Sequence, residues 1–433
     1  MHIMTFSERP YLHVNEDDII ANGSSYFGLP NSQFDAVKGG KLLNEYLDER
    51  VYAEELGFDG VMLNEHHQTP FCMGSVMDVE AAILARITKR VKIVLLGNPL
   101  PVADPLRLAE ELAMIDMISG GRLVPGWVRG AGSEQIANNI NPAYNRERFN
   151  EAHDFVIKAW TTPGPWRYEG EHFHYRFVNP WVLPQQKPHP PIWIPGLISP
   201  ETVVWCAQHR YPYIALCTSI EPTIEMSNLY ADVAAKMGYQ AGPENFGYLQ
   251  NVVVAETEAK AHELARGFVF GGGFGAFARP EWMFPPGYNS KDATKRLAKM
   301  LVDPRTGAEI IRFTQGEIDV EEVKRGIEKN LQSSMDLGLI IAGTPKTVIG
   351  KLRGLLQTLR PGILALWYHH GQHSAQDRRN TLRLLGQEVV PAVREIATEL
   401  GLPGPFEQKP GMRPLPASGK RESVVGEGTG AAT

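Results

Sequence analysis

Short apolar runs that favour β-strands alternate with amphipathic helical segments along most of this chain. We predict strands near residues 2–6, 60–64, 91–98, 122–128, 191–195, 213–217, 247–254 and 363–368. Helices linking parallel strands produce this alternation. Eight strands predict an α/β fold of the closed (β/α)8 TIM-barrel type, although an open doubly wound sheet shows the same order. No G-x-G-x-x-G follows the first strand, which counts against the open dinucleotide-binding fold.

Two stretches depart from the alternation. Residues 271–313 follow strand 7 and are rich in glycine, proline and aromatic residues. We place them between strand 7 and its helix and interpret them as a lid insertion, because long connections at this face of a barrel often cover the site. The tail 402–433 has no apolar period and is predicted to be disordered, which leaves residues 1–401 as the barrel domain.

Composition and charge exclude several classes of function. The net charge of −6 and the lack of a dense basic run argue against a nucleic-acid partner. No apolar run is long enough to predict a membrane span. Cys72, Cys206 and Cys217 form neither a disulfide framework nor a CxxC metal motif. These features predict a protein of the reducing cytoplasm.

Polar residues collect where the predicted strands end. In barrels the chemistry lies at the carboxyl ends of the strands, so these positions are the candidate site. They are Asn64, Glu65, His66 and His67 after strand 2, Asn98 after strand 3, Arg129 after strand 4, and Tyr368, His369 and His370 after strand 8.

The segment after strand 5 has the sequence of a helix start. Ser199 precedes Pro200, as in an N-cap followed by proline at the first helical position, and Thr202 follows one turn later. Free N–H groups and two hydroxyls at a helix start suit a phosphate, to which Arg129 can add a bidentate charge. The alternative is that Ser199 only caps the helix and Arg129 pairs with a surface carboxylate.

Four stretches resemble, in order and spacing, the bacterial luciferase-like flavin-dependent monooxygenases. They are "GFDGVMLNEHHQTPFCMG", the stretch from "ITKRVKIVLLGNP" to "GWVRGAG", "QQKPHPPIWIPGLISPETVVWCAQ" and "AGTPKTVIGKLRGLLQ". The resemblance implies a (β/α)8 barrel that takes reduced FMN from a separate NAD(P)H-dependent flavin reductase. It further implies oxygenation of a small or medium organic substrate through a flavin peroxide, and a homodimer.

The resemblance also assigns residues. It implies that His66 is a base beside the flavin and that Arg129, Ser199 and Thr202 hold the FMN phosphate. Leu96 and Gly97 match a segment where relatives often carry a non-proline cis peptide beside the flavin ring. Gly132 stands where luciferase itself has an aromatic residue, which argues against light emission from an aldehyde.

The residues themselves add further expectations. Glu65 is a candidate second catalytic residue that orients His66, and Asn98 is a candidate contact to the flavin ring. Tyr368 and His369 are candidate substrate contacts. His67 is expected to be structural, because successive side chains of a strand face opposite ways.

Three alternatives remain open from the sequence. The first is a deazaflavin-dependent oxidoreductase, and the second is a flavin-binding subunit without activity. The third is a metal-dependent barrel hydrolase with His66, His67, His369 and His370 as ligands. The adjacent histidines lack the H-x-H spacing that brings two ligands to one face of a strand, so we predict no metal.

Overall fold

Eight parallel strands pair in a ring in the computed structural model. The structure describes residues 1–407 and 420–422 except for 23, 25–26, 198, 272–281, 283–284, 292–294 and 296–328. The described residues form thirteen strands, of which eight make the ring. In chain order they are β1 (His2–Phe6), β2 (Gly60–Leu63), β3 (Lys92–Leu95), β4 (Asn98–Pro99), β5 (Leu123–Val124), β6 (Trp127–Val128), β7 (Trp166–Glu169), β8 (His174–Val178), β9 (Ile194–Gly196), β10 (Tyr213–Leu216), β11 (Phe246–Val254), β12 (Ile340–Gly343) and β13 (Ile363–Trp367).

The pairing order shows that the barrel is closed. Neighbouring strands follow the order β5-β3-β2-β1-β13-β11-β10-β9, and all of these pairs are parallel. A parallel bridge between Gly126 and Trp193 joins the two ends of this order. The predicted (β/α)8 barrel is therefore confirmed, and each of its eight strands lies where the alternation placed it.

Helices cover the outside of the ring. They are α1 (Glu16–Asn22), α2 (Ala36–Glu55), α3 (Met77–Ile87), α4 (Pro105–Ser119), α5 (Gly132–Ala137), α6 (Asn145–Thr161), α7 (Pro200–His209), α8 (Ile220–Lys236), α9 (Glu258–Gly271), α10 (Pro345–Leu359), α11 (Ala375–Leu384) and α12 (Val390–Glu399). α4 illustrates how local sequence sets the limits. The Asp104 side chain accepts from two backbone N–H groups at its start, and Gly120 ends it in the left-handed conformation with φ 69°.

Two apolar layers result from the alternation of side chains along the strands. One lies inside the barrel and includes Met4, Met62 and Trp367, whereas the other lies between strands and helices and includes Ile3, Val61 and Trp127. Each strand residue therefore faces either the barrel axis or a helix. No helix among the described residues combines the length and the apolar character that a bilayer crossing requires.

The structure differs from the sequence prediction after β11, which is the predicted strand 7. The helix of that strand, α9, follows β11 directly, so the insertion begins after the helix and not between the strand and the helix. β12 then pairs with the end of β11, from Asn251 to Val254. Most of the predicted lid 271–313 lies outside the described residues, but residues 285–291 are described and reach the site.

Part of the predicted tail packs on the barrel. Leu402 is buried, and the Phe406 ring lies edge-on against His2. Arg421 is also buried, with its guanidinium 4.1 Å from the centre of the Phe246 ring. Packed residues therefore occur beyond residue 401, the predicted end of the barrel, while 408–419 and 423–433 lie outside the described residues.

Candidate active site

Two histidines share one carboxylate at the rim of the barrel. β2 ends at Leu63, and His66 and His67 lie in the loop that follows it. Nδ1 of His66 lies 3.1 Å from Oε1 of Glu134, and Nδ1 of His67 lies 2.6 Å from Oε2 of the same residue. Glu134 belongs to α5, the short helix after β6. The loop after β2 and the loop after β6 thus meet through this one side chain.

The environment of His66 favours its protonated form. Its Nε2 lies 3.6 Å from Oε2 of Glu8, a buried residue just beyond β1. Burial acts to lower the pKa of His66, but the carboxylates of Glu8 and Glu134 outweigh it, so the pKa is raised. Burial in turn raises the pKa of Glu8. A buried acid and an imidazole, each with a raised pKa, thus face each other across 3.6 Å.

His67 is held more strongly as a cation. Its Nε2 lies 3.3 Å from Oε1 of Glu65, on the side opposite Glu134. Burial opposes the charge, but hydrogen bonds to Glu134 and Glu65 raise the pKa of His67 to about 10. Glu65, which was predicted to orient His66, and His67, which was predicted to be structural, thus form an ion pair with each other.

Two expectations about these side chains were wrong. Glu65 does not orient His66, because it pairs with His67 and accepts a hydrogen bond from the Met77 N–H at 3.1 Å. His66 and His67 do not face opposite ways either. The alternation rule does not apply to them, because the strand ends before the histidines and the loop turns both rings toward Glu134.

A buried network supports the histidine loop from below. The Arg9 guanidinium donates to Oδ1 of Asn64 at 3.0 Å and forms an ion pair with Glu80 at 2.9 Å. Asn64 also donates a hydrogen bond to Glu8. These contacts join the ends of β1 and β2 to α3, and Asn64 is therefore a scaffold residue under the site.

A second polar cluster lies at the start of α7, as the sequence predicted. Ser199 caps the helix and accepts a hydrogen bond from the Thr202 N–H, with Pro200 at the first helical position. The two hydroxyls lie 3.2 Å apart. Arg146 of α6 donates to both of them at 3.4 Å. Together with Arg129, these residues form what we call the cationic cradle: Arg129, Arg146, Ser199 and Thr202.

The two arginines of the cradle carry charge that protein carboxylates do not fully compensate. Burial and the neighbouring Arg129 lower the pKa of Arg146 to about 10, while Glu201 opposes this shift. Two guanidinium groups that repel each other beside the positive end of a helix form a site for an anion. A phosphate there gains charge-assisted hydrogen bonds and relieves the repulsion.

Residues 285–291 of the insertion lie against the cradle. Nη1 of Arg129 donates to the Tyr288 carbonyl at 3.3 Å and to Oδ1 of Asn145 at 3.0 Å. The Tyr288 ring centre lies 5.1 Å from the guanidinium carbon. Ser290 donates to Oε1 of Glu201 at 2.8 Å. This part of the predicted lid thus covers one side of the cradle.

The segment after β3 approaches the neighbouring strand closely. Gly97 has φ 135°, and a Cβ atom there would lie 2.5 Å from Cγ1 of Val128. The cis peptides of the described chain both precede proline, at Gly164–Pro165 and Lys187–Pro188. The non-proline cis peptide expected at Leu96 and Gly97 is therefore not found in this described segment, where Gly97 has a positive φ.

The side-chain amide of Asn98 has its nitrogen in a hydrogen bond and its oxygen available. Its Nδ2 donates to the Asp78 carboxyl group at 3.2 Å. Its Oδ1 is buried and has no hydrogen-bond partner among the described residues. Burial and the nearby Glu65 raise the pKa of Asp78 to about 7. An unpaired buried acceptor beside a glycine turn fits a ligand that brings an N–H group.

The residues that follow β13, the predicted strand 8, pack in different layers of the barrel. Tyr368 belongs to the outer layer, and its hydroxyl donates to Oε2 of Glu49 in α2 at 2.5 Å. His369 is fully buried and stacks on Tyr46 of the same helix, with ring centres 5.8 Å apart. This packing favours a structural role for both, in place of the predicted substrate contact. His370 instead lies against Phe71, whose ring also contacts His66.

The metal alternative finds no support among the four rim histidines. Within the described chain, the groups with metal-like spacing are His153, Asp154 and His209, and separately Glu147, Glu171 and His172. Neither group includes any of the four. Glu134 already binds the Nδ1 atoms of His66 and His67.

Sequence reasoning missed three site residues. Glu8 follows β1 by two positions, so the strand-end rule applied to the first strand would have indicated it. Glu134 lies in a six-residue helix whose sequence carries no motif. Arg146 lies in the first turn of α6 and contacts residues more than 50 positions away. Only the fold brings these side chains to the site.

Comparison with known proteins gives a family match over most of the chain. A profile described as "Luciferase-like monooxygenase" matches residues 26–360. An uncharacterized protein, y4wF, of Sinorhizobium fredii is 32% identical over 173 residues, which cover 39% of this chain and 50% of that protein. The alkanal monooxygenase alpha chain of Photobacterium leiognathi is 24% identical over 329 residues, covering 69% and 91%.

A solved structure shares the fold. The oxygenating constituent of 3,6-diketocamphane monooxygenase from Pseudomonas putida, in complex with FMN, superposes with a TM-score of 0.64 at 17% identity. The likeness covers 90% of this chain and 98% of that one. At this identity the likeness shows a common architecture.

Proposed function

Because the chain belongs to the luciferase-like monooxygenase family, we propose that it is the oxygenase of a two-component system. In this proposal it takes reduced FMN from a separate NAD(P)H-dependent flavin reductase and uses O2 to oxygenate a small or medium organic molecule. A cytoplasmic location fits its three free cysteines, Cys72, Cys206 and Cys217. The observation that carries the proposal is the cationic cradle beside the histidine cluster.

The cradle fits the phosphate of FMN. It offers two guanidinium groups, two hydroxyls and the start of a ten-residue helix within one cluster. Arg129 and Arg146 repel each other there, and a phosphate dianion replaces this repulsion with attraction. We assign Arg129, Arg146, Ser199 and Thr202 to the phosphate.

The loop after β6 connects the cradle to the histidines. Arg129 lies at its beginning and Glu134 five residues later, and Nε2 of Gln135 donates to the Arg129 carbonyl at 2.7 Å. We assign the space between these ends to the flavin ring, with Leu96 and Gly97 against it and Oδ1 of Asn98 as acceptor for a ring N–H.

Proton transfer falls to His66 in this assignment. Reduced FMN, when bound, supplies the electrons that activate oxygen. The protein contributes a histidine that takes or gives a proton near neutral pH, and apolar walls such as Phe71 that exclude water. His67 and Glu65 support Glu134 from outside.

The first test is a reconstituted reaction. The purified protein is titrated anaerobically with reduced FMN, then exposed to O2 with a reductase, NAD(P)H and a panel of organic substrates. We expect tight binding of reduced FMN and formation of an oxygenated product only when all components are present. Turnover with a reduced deazaflavin but not with reduced FMN would overturn the cofactor assignment, and hydrolysis without flavin would overturn the class.

We also propose that the protein forms a homodimer. Its interface is made by the helices beside the predicted strands 2 to 4, which include α3 and α4. Apolar side chains that are each at least 39% exposed line the outer surface of α3 and α4. This α3/α4 apolar face consists of Val76, Val79, Ile83 and Ile87 with Met114, Met117 and Ile118. A second copy of the chain would bury it.

Solution mass measurements test the dimer. We expect Ile83→Asp to convert the dimer to a monomer, because each interface would contain two buried carboxylates. Val37→Asp provides the control, since Val37 is exposed on α2, outside this face. A monomeric wild-type protein, or an equal effect of both substitutions, would contradict the proposal.

A further inference from the structure

Glu134 occupies an unusual position, because each of its oxygens contacts a different imidazole. The side chain is buried, with 2% relative exposure. Burial favours the neutral acid, but the hydrogen bonds to His66 and His67 lower the pKa of Glu134 to about 2. Glu134 is therefore a carboxylate at all working pH values and can only accept hydrogen bonds.

This charge state fixes which ring nitrogens carry hydrogen. Both Nδ1 atoms face a carboxylate oxygen, at 3.1 Å for His66 and 2.6 Å for His67. Since the oxygens only accept, both Nδ1 atoms must donate. The remaining nitrogen of His66, Nε2, points to Glu8 at 3.6 Å.

We propose that Glu134 is a positioning residue that keeps a proton on Nδ1 of His66, so that His66 exchanges protons through Nε2, and that His67 is the counter-charge of Glu134. The inference rests on the proposed function, because it specifies how His66 transfers protons there. It assigns different roles to two adjacent histidines with the same carboxylate partner: His66 transfers protons, and His67 balances the charge of Glu134.

The proton balance follows from this arrangement. Neutral His66 carries one hydrogen, on Nδ1, and accepts a proton on the lone pair of Nε2 to become an imidazolium. Glu134 and Glu8 face the new positive charge, and Arg9 opposes it. Release of the same proton from Nε2 restores the neutral ring without any change at Nδ1. The ring therefore needs no flip between the two steps.

His67 moderates the effect of Glu134 on His66. It lies between two carboxylates, Glu65 and Glu134, and remains a cation at neutral pH. Its positive charge offsets part of the negative charge that His66 experiences. Without His67, the full charge of Glu134 would act on His66 and would raise the pKa of His66 further.

Substitutions of the two residues should therefore move the pKa of His66 in opposite directions. Glu134→Gln keeps the shape but removes the charge, and we expect it to lower the pKa of His66 by about 1 to 3. His67→Gln removes the offsetting cation and should raise it by about 1. Glu134→Asp, which retains a carboxylate, should restore part of the wild-type value.

The measurement uses the flavin-free protein, labelled with carbon-13 at the imidazole carbons. The His66 signals are those that disappear from the NMR spectrum of His66→Gln. Their change with pH gives the pKa of His66, and the chemical shift of Cδ2 shows which ring nitrogen carries the hydrogen. We expect the Nδ1–H form in the wild type and a mixture of both forms in Glu134→Gln. The same variants are then compared in pH–rate profiles of the reconstituted oxygenase, whose inflection should move with the pKa.

The outcomes separate the two proposals. If both substitutions lower the pKa of His66, or if neither changes it, the positioning role is overturned. The role is also overturned if the pKa values move as expected while the inflection of an active oxygenase does not. Opposite pKa changes in a protein that performs no oxygen chemistry with reduced FMN would support the arrangement and overturn the proposed function.

Discussion

Replacement of Arg146 by methionine tests the phosphate assignment most directly. The guanidinium donates to the Ser199 and Thr202 hydroxyls at 3.4 Å, and burial beside Arg129 lowers its pKa to about 10. A hydrogen bond to a charged group contributes about 1.5–3 kcal/mol, so we expect the variant to bind reduced FMN about 10- to 150-fold more weakly.

Riboflavin provides the matched ligand, because it differs from FMN only by the phosphate. Anaerobic titrations of both reduced flavins give the ratio of their dissociation constants. We expect Arg146→Met to lose affinity for FMN but to keep its affinity for riboflavin, so that the ratio moves toward one. The comparison removes any general effect of the substitution on the pocket.

Arg148 provides the matched protein control. It lies two residues further along α6, donates to the Pro101 carbonyl at 2.7 Å and packs on Phe173, away from the cradle. Arg148→Met should leave the FMN-to-riboflavin ratio unchanged. The assignment is refuted if Arg146→Met weakens both flavins equally, or if Arg148→Met changes the ratio as much as Arg146→Met does.

Four further predictions concern the site and its support. His66→Ala should slow product formation about 10²- to 10⁴-fold with little change in FMN affinity, whereas Arg129→Ala should mainly weaken binding; equal losses in both parameters would contradict this division. Gly97→Ala should destabilise the protein by about 1–3 kcal/mol in urea unfolding, because its positive φ and close neighbour exclude a Cβ. Gly350→Ala, at a helical position with nothing within 4 Å of the new atom, should stabilise it by about 0.5–1 kcal/mol. The lowered pKa of Glu134 contributes stability above pH 4.5 that is lost as the pH falls toward 2, so Glu134→Gln should show a weaker pH dependence of the unfolding free energy in that range.

Local patterns explain why much of the cradle was predictable. Ser199, Pro200 and Thr202 are neighbours in sequence, and the cap they form depends on backbone groups within one helical turn. Arg129 was predicted because it follows a strand of the barrel. Its partner Arg146 was not, since nothing in the first turn of α6 marks which way that side chain points.

The histidine cluster shows the opposite case. The strand-end rule indicated Glu65, His66 and His67, but the expected directions of the two histidine side chains were wrong, because alternation holds only within a strand and β2 ends at Leu63, before both histidines. Tyr368 and His369 were predicted by the same rule, and their packing on α2 depends on which face of β13 they continue.

The sequence by itself determined the alternation of eight strands with helices and the start of α7, because periodicity, caps and turns act over a few residues; the closure of the ring rests on the pairing of β5-side and β9-side residues far apart in the chain. Only the tertiary structure decided which carboxylate serves His66. Glu134 lies 68 residues from His66 in the chain, and their contact requires two loops to meet at the rim. Such a contact depends on the directions of side chains from separate elements, which no local pattern encodes.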